Sequence, residues 1–238
     1  SLLHMAMIIS SSEIVSLLLK NGADLKATNV LGHDSFHIAS TFGRLDNVKF
    51  WLNKFPDWNI DHPGKMYGGT ALSMAVFMGS SNQEVIEFLI SKGANTFRRT
   101  NTGSSLIVTA SSNEDADLEM VKMLLQTVCG KPSRKSRTIL NEQLRPVSTW
   151  WRVTYMTSKM LVRTGLTNAA LYRILADEPG TTGLSYAVMR GDEDLTRLLL
   201  KYGADPRIKN DMGLNAMDLC EKYGPYPNVL RCLNSFSL

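Results

Sequence analysis

"EIVSLLLKNGADLKATNVLG" (residues 13–32) and "DLTRLLLKYGADPRIKNDMG" (residues 194–213) align without a gap. Leu17, Leu18, Leu19, Lys20, Gly22, Ala23, Asp24, Asn29 and Gly32 recur identically in the second stretch. Unrelated stretches of this length would share about one residue. A chain that writes one sentence twice is built from repeats, and the repeat period sets the architecture.

A second phrase recurs along the chain. Ser35-Phe36-His37-Ile38-Ala39, Gly69-Thr70-Ala71-Leu72-Ser73-Met74-Ala75, Gly183-Leu184-Ser185-Tyr186-Ala187 and Asn215-Ala216-Met217-Asp218-Leu219 are versions of T-P-L-H-x-A. Leu2-Leu3-His4-Met5-Ala6 opens the chain in the same phrase, and Ser105-Leu106-Ile107-Val108-Thr109-Ala110 is a weaker copy. The leucine slot holds Leu3, Phe36, Leu72, Ile107, Leu184 and Met217. Their spacing is near 33 residues except for the 77 between Ile107 and Leu184. In motif, period and the closing Gly-Ala-Asp, the chain resembles the ankyrin-repeat family.

The resemblance implies an all-α solenoid of stacked helix-turn-helix units with β-turn fingers. About six repeats are recognisable, and a seventh, degenerate one is expected in the long gap. The residues explain why such units stack. Val85 to Ile90 reads V-I-E-F-L-I, apolar at helical spacing. Gly93 and Gly203 follow helices as stops, where glycine adopts a left-handed backbone cheaply. The motif alanine is small because a neighbouring helix must come close, and Cys220 fills that slot as a small apolar residue would. No unit buries its apolar face alone, so several must stack.

Three segments follow. Residues 1–125 hold N-terminal repeats, beginning in the middle of a unit, as a piece of a longer protein would. Residues 126–180 hold a basic insertion loop and the degenerate helix pair, "VSTWWRVTYMTSKMLVRTG" and "LTNAALYRILADEPG". Residues 181–238 hold C-terminal repeats and a cap, with Pro225 and Pro227 ahead of Val229-Leu230-Cys232-Leu233.

Composition excludes several classes. Hydrophobic content of 44% and charged content of 20% are those of a folded chain. No apolar run approaches the ~18 residues of a membrane span, and no basic-then-apolar leader with a cleavage site is read. The odd set Cys129, Cys220 and Cys232 has no C-x-x-C spacing. A reducing intracellular compartment, cytoplasm or nucleus, is the expectation. The net charge is +4, but residues 126–166 carry Lys131, Arg134, Lys135, Arg137, Arg145, Arg152, Lys159 and Arg163 against Glu142 alone.

No catalytic set is readable. H-E-x-x-H and G-x-S-x-G are absent, and Gly130-Lys131-Pro132 lacks the Ser or Thr of a phosphate loop. His4 and His37 sit in the motif slot where the family bonds turn backbone, while His33 and His62 lie in fingers where a partner is within reach. No enzyme activity, cofactor, metal or small-molecule substrate is expected.

What remains is surface. The family resemblance implies that the end of each first helix faces the concave side. Phe42, Phe77, Met78, Met189, Arg190 and Tyr223 stand there, and Met66, Tyr67 and Met212 extend the surface from the fingers. Apolar groups at such positions suggest a protein-binding face. Lys131, Arg134, Lys135 and Arg137 form a basic patch around Ser133 and Ser136. It suits an acidic protein, nucleic acid or an anionic membrane, and it resembles a basophilic kinase site. Trp150 and Trp151 beside cations suit either a membrane surface or a buried plug. The expected function is a non-catalytic scaffold or adaptor that binds another protein. The alternatives are an accessory module anchored to lipid or nucleic acid, or a regulatory array in a longer protein.

Overall fold

The computed structural model describes residues 1–236, and every regular element among them is helical. The chain divides into two compact units. One comprises residues 1–100 with 115–117, and the other residues 101–114 with 118–236.

The N-terminal unit contains three helix pairs: α1 (Leu2–Ile9) with α2 (Ser12–Lys20), α3 (Ser35–Thr41) with α4 (Leu45–Lys54), and α5 (Ala71–Phe77) with α6 (Gln83–Ser91). The first helices α1, α3 and α5 pack in succession, as do the second helices α2, α4 and α6. The C-terminal unit repeats the scheme with α7 (Leu106–Ser112) and α8 (Leu118–Cys129), α12 (Gly183–Met189) and α13 (Glu193–Lys201), and α14 (Ala216–Tyr223) and α15 (Pro227–Phe236). There α7, α12 and α14 pack in succession, and α13 lies between α8 and α15. Three further helices, α9 (Arg134–Leu140), α10 (Thr149–Arg163) and α11 (Ala170–Asp177), lie between α8 and α12.

The motif residues set the helix starts and the close packing. Each later first helix starts behind a capping side chain that accepts from a backbone N–H in the first turn. The caps are Asp34, Thr70, Ser105, Thr182 and Asn215. Such caps stabilise a helix start by about 1 kcal/mol each. Ala39, Ala75, Ala110, Ala187 and Cys220 are wholly buried where successive first helices meet. His4 Nε2 donates to the Ala27 carbonyl at 3.0 Å, and His37 Nε2 donates to the His62 carbonyl at 2.8 Å. The motif histidines thus tie α1 and α3 to the fingers that follow them.

Backbone bonding explains the long gap. In an ordinary finger one N–H closes the hairpin onto the carbonyl just before the next cap: Asn29 to His33, Gly64 to Gly69, and Asn210 to Leu214, each at 2.9 Å. Leu144 N–H does the same to Thr181 at 2.7 Å, and Thr182 is the next cap. Residues 30–32, 65–68 and 211–213 fill the ordinary tips, whereas 145–180 fill this one. The helix pair expected within residues 147–180 is present as α10 and α11, but it rises from a finger tip. It does not stand between its neighbours, because α12 packs directly on α7.

The expanded finger keeps its place in the finger row. Val147 N–H donates to the Asn101 carbonyl at 3.0 Å, and Gln143 Nε2 donates to the Lys209 carbonyl at 2.8 Å. A Cβ on Gly103, whose φ is +94°, would lie 2.0 Å from the Arg145 carbonyl oxygen. Only glycine combines that backbone with that approach. Where the finger meets α7 and α12, Val108, Leu144 and Tyr155 form a small core with Trp151, Leu175 and Tyr186 packed against it.

The basic loop expected at the start of this insertion is in fact ordered around α9. Ser133 and Ser136 form its capping box, and the buried Ser136 hydroxyl donates to the Tyr202 carbonyl at 2.7 Å. A side chain committed in this way is no accessible kinase target, which corrects the phosphorylation reading at Ser136.

Candidate protein-binding site

In the N-terminal unit, α3 ends at Thr41 and α5 at Phe77, and each helix stops in a short turn before its partner helix. Phe42 and Met78 are the C-caps, so their side chains emerge beside the helix ends rather than beneath the next turn. Phe42 is 48% exposed, Phe77 58% and Met78 38%. Ile9, the last residue of α1, is also exposed. Successive packing of α1, α3 and α5 lines these residues up on one side of the unit. In the fingers of the same unit Val30, Met66 and Tyr67 are exposed, and Met66 N–H donates to the Leu31 carbonyl at 3.2 Å, joining two finger tips. These exposed groups are apolar and aromatic, the residue types enriched at interface centres.

The equivalent positions in the C-terminal unit are spent differently. The Arg190 guanidinium donates to the Ser111 carbonyl at 2.9 Å and to the Asn113 carbonyl, and lies 3.5 Å from Asp192. It stitches α12 to the end of α7. Asn47 and Asn82 do the same job in the N-terminal unit. Asn47 Nδ2 reaches the Met7 and Ser10 carbonyls at 3.1 and 3.0 Å, and Asn82 Nδ2 reaches the Thr41 carbonyl at 2.8 Å. Neither asparagine belongs to the motif phrase, and nothing in its neighbours along the chain marks it out.

Tyr223 donates its hydroxyl to Asp177 Oδ2 at 2.6 Å, and Lys222 donates to the same oxygen. Asp177 is fully buried. Burial, followed by the bond to Asp177, pushes the Tyr223 phenol well up from its ordinary value. Next to it, burial raises the Glu178 carboxyl, while bonds from the Tyr155 and Tyr186 hydroxyls pull it partly back. This pair of acids fastens the base of the inserted helices to α12 and α14. Met189 and Met212 are half-buried. Of the residues expected on the binding face, Arg190 and Tyr223 therefore hold the C-terminal unit together, whereas those of the N-terminal unit face solvent.

The histidines also divide. His33, expected to reach a partner from its finger, is buried and stacks on His37 with ring centroids 5.5 Å apart. It fits because Gly64 leaves room: a Cβ there would lie 2.4 Å from the His33 ring. Burial, then the neighbouring His37, lowers its pKa. Burial would raise the Asp34 carboxyl, but the bonds from His37 outweigh it and hold it below the usual range. His62 is half-exposed at its side chain and lies 3.8 Å from Asp34.

Lys131, Arg134, Lys135 and Arg137 are all exposed on and beside α9. Trp150 and Trp151 part company: Trp150 is 71% exposed, and Trp151 packs on the finger core. Among the described residues no cluster of His, Cys, Asp and Glu has the makings of a metal site, and no helix is long and apolar enough to cross a membrane. The three cysteines are free and buried.

Comparison with known proteins agrees with this geometry. Models of ankyrin repeats match residues 36–136 in three copies, and residues 1–30 and 180–211 singly. The unmatched residues 137–179 hold most of the inserted finger. A relative, the ankyrin repeat protein L371 of Acanthamoeba polyphaga mimivirus, is 25% identical over 237 residues. The alignment covers 93% of this chain, and the chain spans 28% of that protein's length. Among solved structures, the ankyrin repeat domain of Bcl-3, a member of the IkappaB protein family, is 22% identical. Its TM-score is 0.64, with 98% of this chain and 81% of that one covered. An ankyrin repeat domain from Acinetobacter baumannii gives a TM-score of 0.66 at 13% identity, covering 99% and 97%. A chain from the complex of a predatory endopeptidase of Bdellovibrio bacteriovorus with its immunity protein gives 0.66 at 23% identity, covering 98% and 96%.

Proposed function

The chain belongs to the ankyrin-repeat family, and from that premise we propose that it is a non-catalytic interaction module. It holds a partner protein on the exposed side of its N-terminal unit. Ankyrin repeats generally mediate contacts between proteins, and the fold is generally a scaffold rather than a catalyst. The observation that carries the reading is the run of Phe42, Phe77 and Met78 beside Met66 and Tyr67, large apolar groups kept in solvent at successive helix ends and fingers. Contiguous patches of this kind are uncommon on monomers that bind nothing. Aromatic and methionine side chains are the groups that anchor interfaces. The buried cysteines are in keeping with a reducing compartment.

The test is capture from lysate of the source cells. Wild-type chain is compared with a variant carrying Tyr67→Glu, Phe77→Glu and Met78→Glu, after circular dichroism has matched their folding. The expected result is a discrete partner retained by the wild type and lost from the variant. Retention of every partner by the folded variant contradicts the proposal.

A further inference from the structure

The inserted helices carry a face that the finger does not use. Along α10, Trp151, Tyr155 and Ser158 turn inward onto the finger core or are buried. At 3.6 residues per turn the opposite stripe holds Trp150, Val153, Met156 and Met160. All four are exposed, Met156 by 65% and Met160 by 55%. Arg152 and Arg163 are about three turns apart and so border this stripe on one side. Each is partly steadied: Arg152 Nε donates to the Pro146 carbonyl at 3.0 Å, and Arg163 donates to the Asp211 carbonyl at 3.3 Å. From residue 143 to 176 the chain contains no Asp or Glu at all. The Asp211 carboxylate beside this edge is engaged by Arg145 and by Lys159, at 3.8 Å, while Arg152 and Arg163 bond only backbone carbonyls, so the stripe is edged by two arginines that lack a carboxylate.

We propose that this face docks an amphipathic helix of a partner protein, with its apolar side on the Trp150–Met160 stripe and carboxylates along the Arg152–Arg163 edge. Charge complementarity selects an acidic occupant, since the planar guanidinium fork matches carboxylates two bonds at a time. The length of α10, fifteen residues or about 22 Å, suits a partner helix of about four turns. Methionines adapt to the packing of an incoming helix. A flat lipid surface fits less well, because Thr157 interrupts the stripe and would have to be desolvated in the bilayer. This face is separate from the Phe42–Met78 run and stands without it.

The experiment uses the full chain and three probes. The first is a fluorescein-labelled amphipathic helical peptide of about sixteen residues with leucines on one side and glutamates beside them. The second is the same peptide with lysine in place of glutamate, and the third is a vesicle of phosphatidylcholine and phosphatidylserine. The expected result is saturable binding of the glutamate peptide that weakens as salt rises. It falls at least about tenfold in Met156→Glu and in the double variant Arg152→Glu, Arg163→Glu, and is unchanged in Phe77→Glu. All these side chains are exposed, and matched thermal melts keep folding out of the comparison. Absence of glutamate-peptide binding overturns the proposal. So does equal binding of the lysine peptide, undiminished binding by the Met156→Glu variant, or binding of vesicles alone.

Discussion

The same place in the repeat is put to opposite uses in the two units. At the ends of α3 and α5, Phe42, Phe77 and Met78 face solvent. At the ends of α12 and α14, Arg190 and Tyr223 are drawn into bonds with Ser111, Asn113 and Asp177. The N-terminal unit leaves its stitching to Asn47 and Asn82, which lie beyond the ends of the first helices. The C-terminal unit must also hold the base of a two-helix insertion, which Lys222 and Tyr223 at the end of α14 do through Asp177, while Arg190 ties α12 to α7. A repeat position therefore does not carry a fixed function; what its neighbours leave unsatisfied decides it.

Substitutions should separate the two units. The largest effect is expected at Asp177, where Asp177→Ala strips the acceptor from Tyr223 and Lys222 in a buried setting. A loss of about 3 kcal/mol is expected, confined to the C-terminal unit. Hydrogen–deuterium exchange resolved by segment measures it, and equal deprotection of α3 and α5 would break the distinction. Arg190→Ala comes next, at about 1–2 kcal/mol, since two carbonyls lose a charged donor. Its deprotection should centre on α7 and α12.

Acidity should push the two units in opposite directions. His33 has a lowered pKa in the folded chain, so the unfolded chain binds the proton more readily. Its contribution is present above the unfolded value of about 6.5 and is lost as pH falls through the folded value. Glu178 has a raised pKa, so its folded form holds the proton better, and its contribution grows as pH falls toward 4.5. Exchange measured from pH 7 to pH 5 should show α3 loosening and the α10–α11 base tightening. His33→Asn should flatten the first trend alone. The smallest effect is expected at Phe77→Glu, within about 0.5 kcal/mol, because an exposed side chain leaves little packing behind.

Much of this architecture is legible in the sequence. The small buried alanines and the histidine tether are local, and their residue types are dictated by the turn or packing they serve. The place of the inserted helices was not legible. A spacing of 77 resembles two periods, and the bond that reveals a finger runs between backbone groups of Leu144 and Thr181, for which no side chain is required. Two of the three ordinary fingers advertise this bond through an asparagine, Asn29 or Asn210, whose Oδ1 accepts from the turn, and Leu144 gives no such sign. His33 misled for a related reason: its burial depends on Gly64 in the next finger. The candidate surface was half legible, since exposure follows from the motif phase but the commitments of Arg190 and Tyr223 depend on partners tens of residues away.

The most direct measurement places a photo-crosslinking phenylalanine analogue at Phe77 in one chain and at Met189 in another, then irradiates each in the same lysate. The account expects a discrete protein adduct from position 77 and none of comparable yield from position 189. Equal adducts from both, or an adduct from position 189 alone, would contradict it.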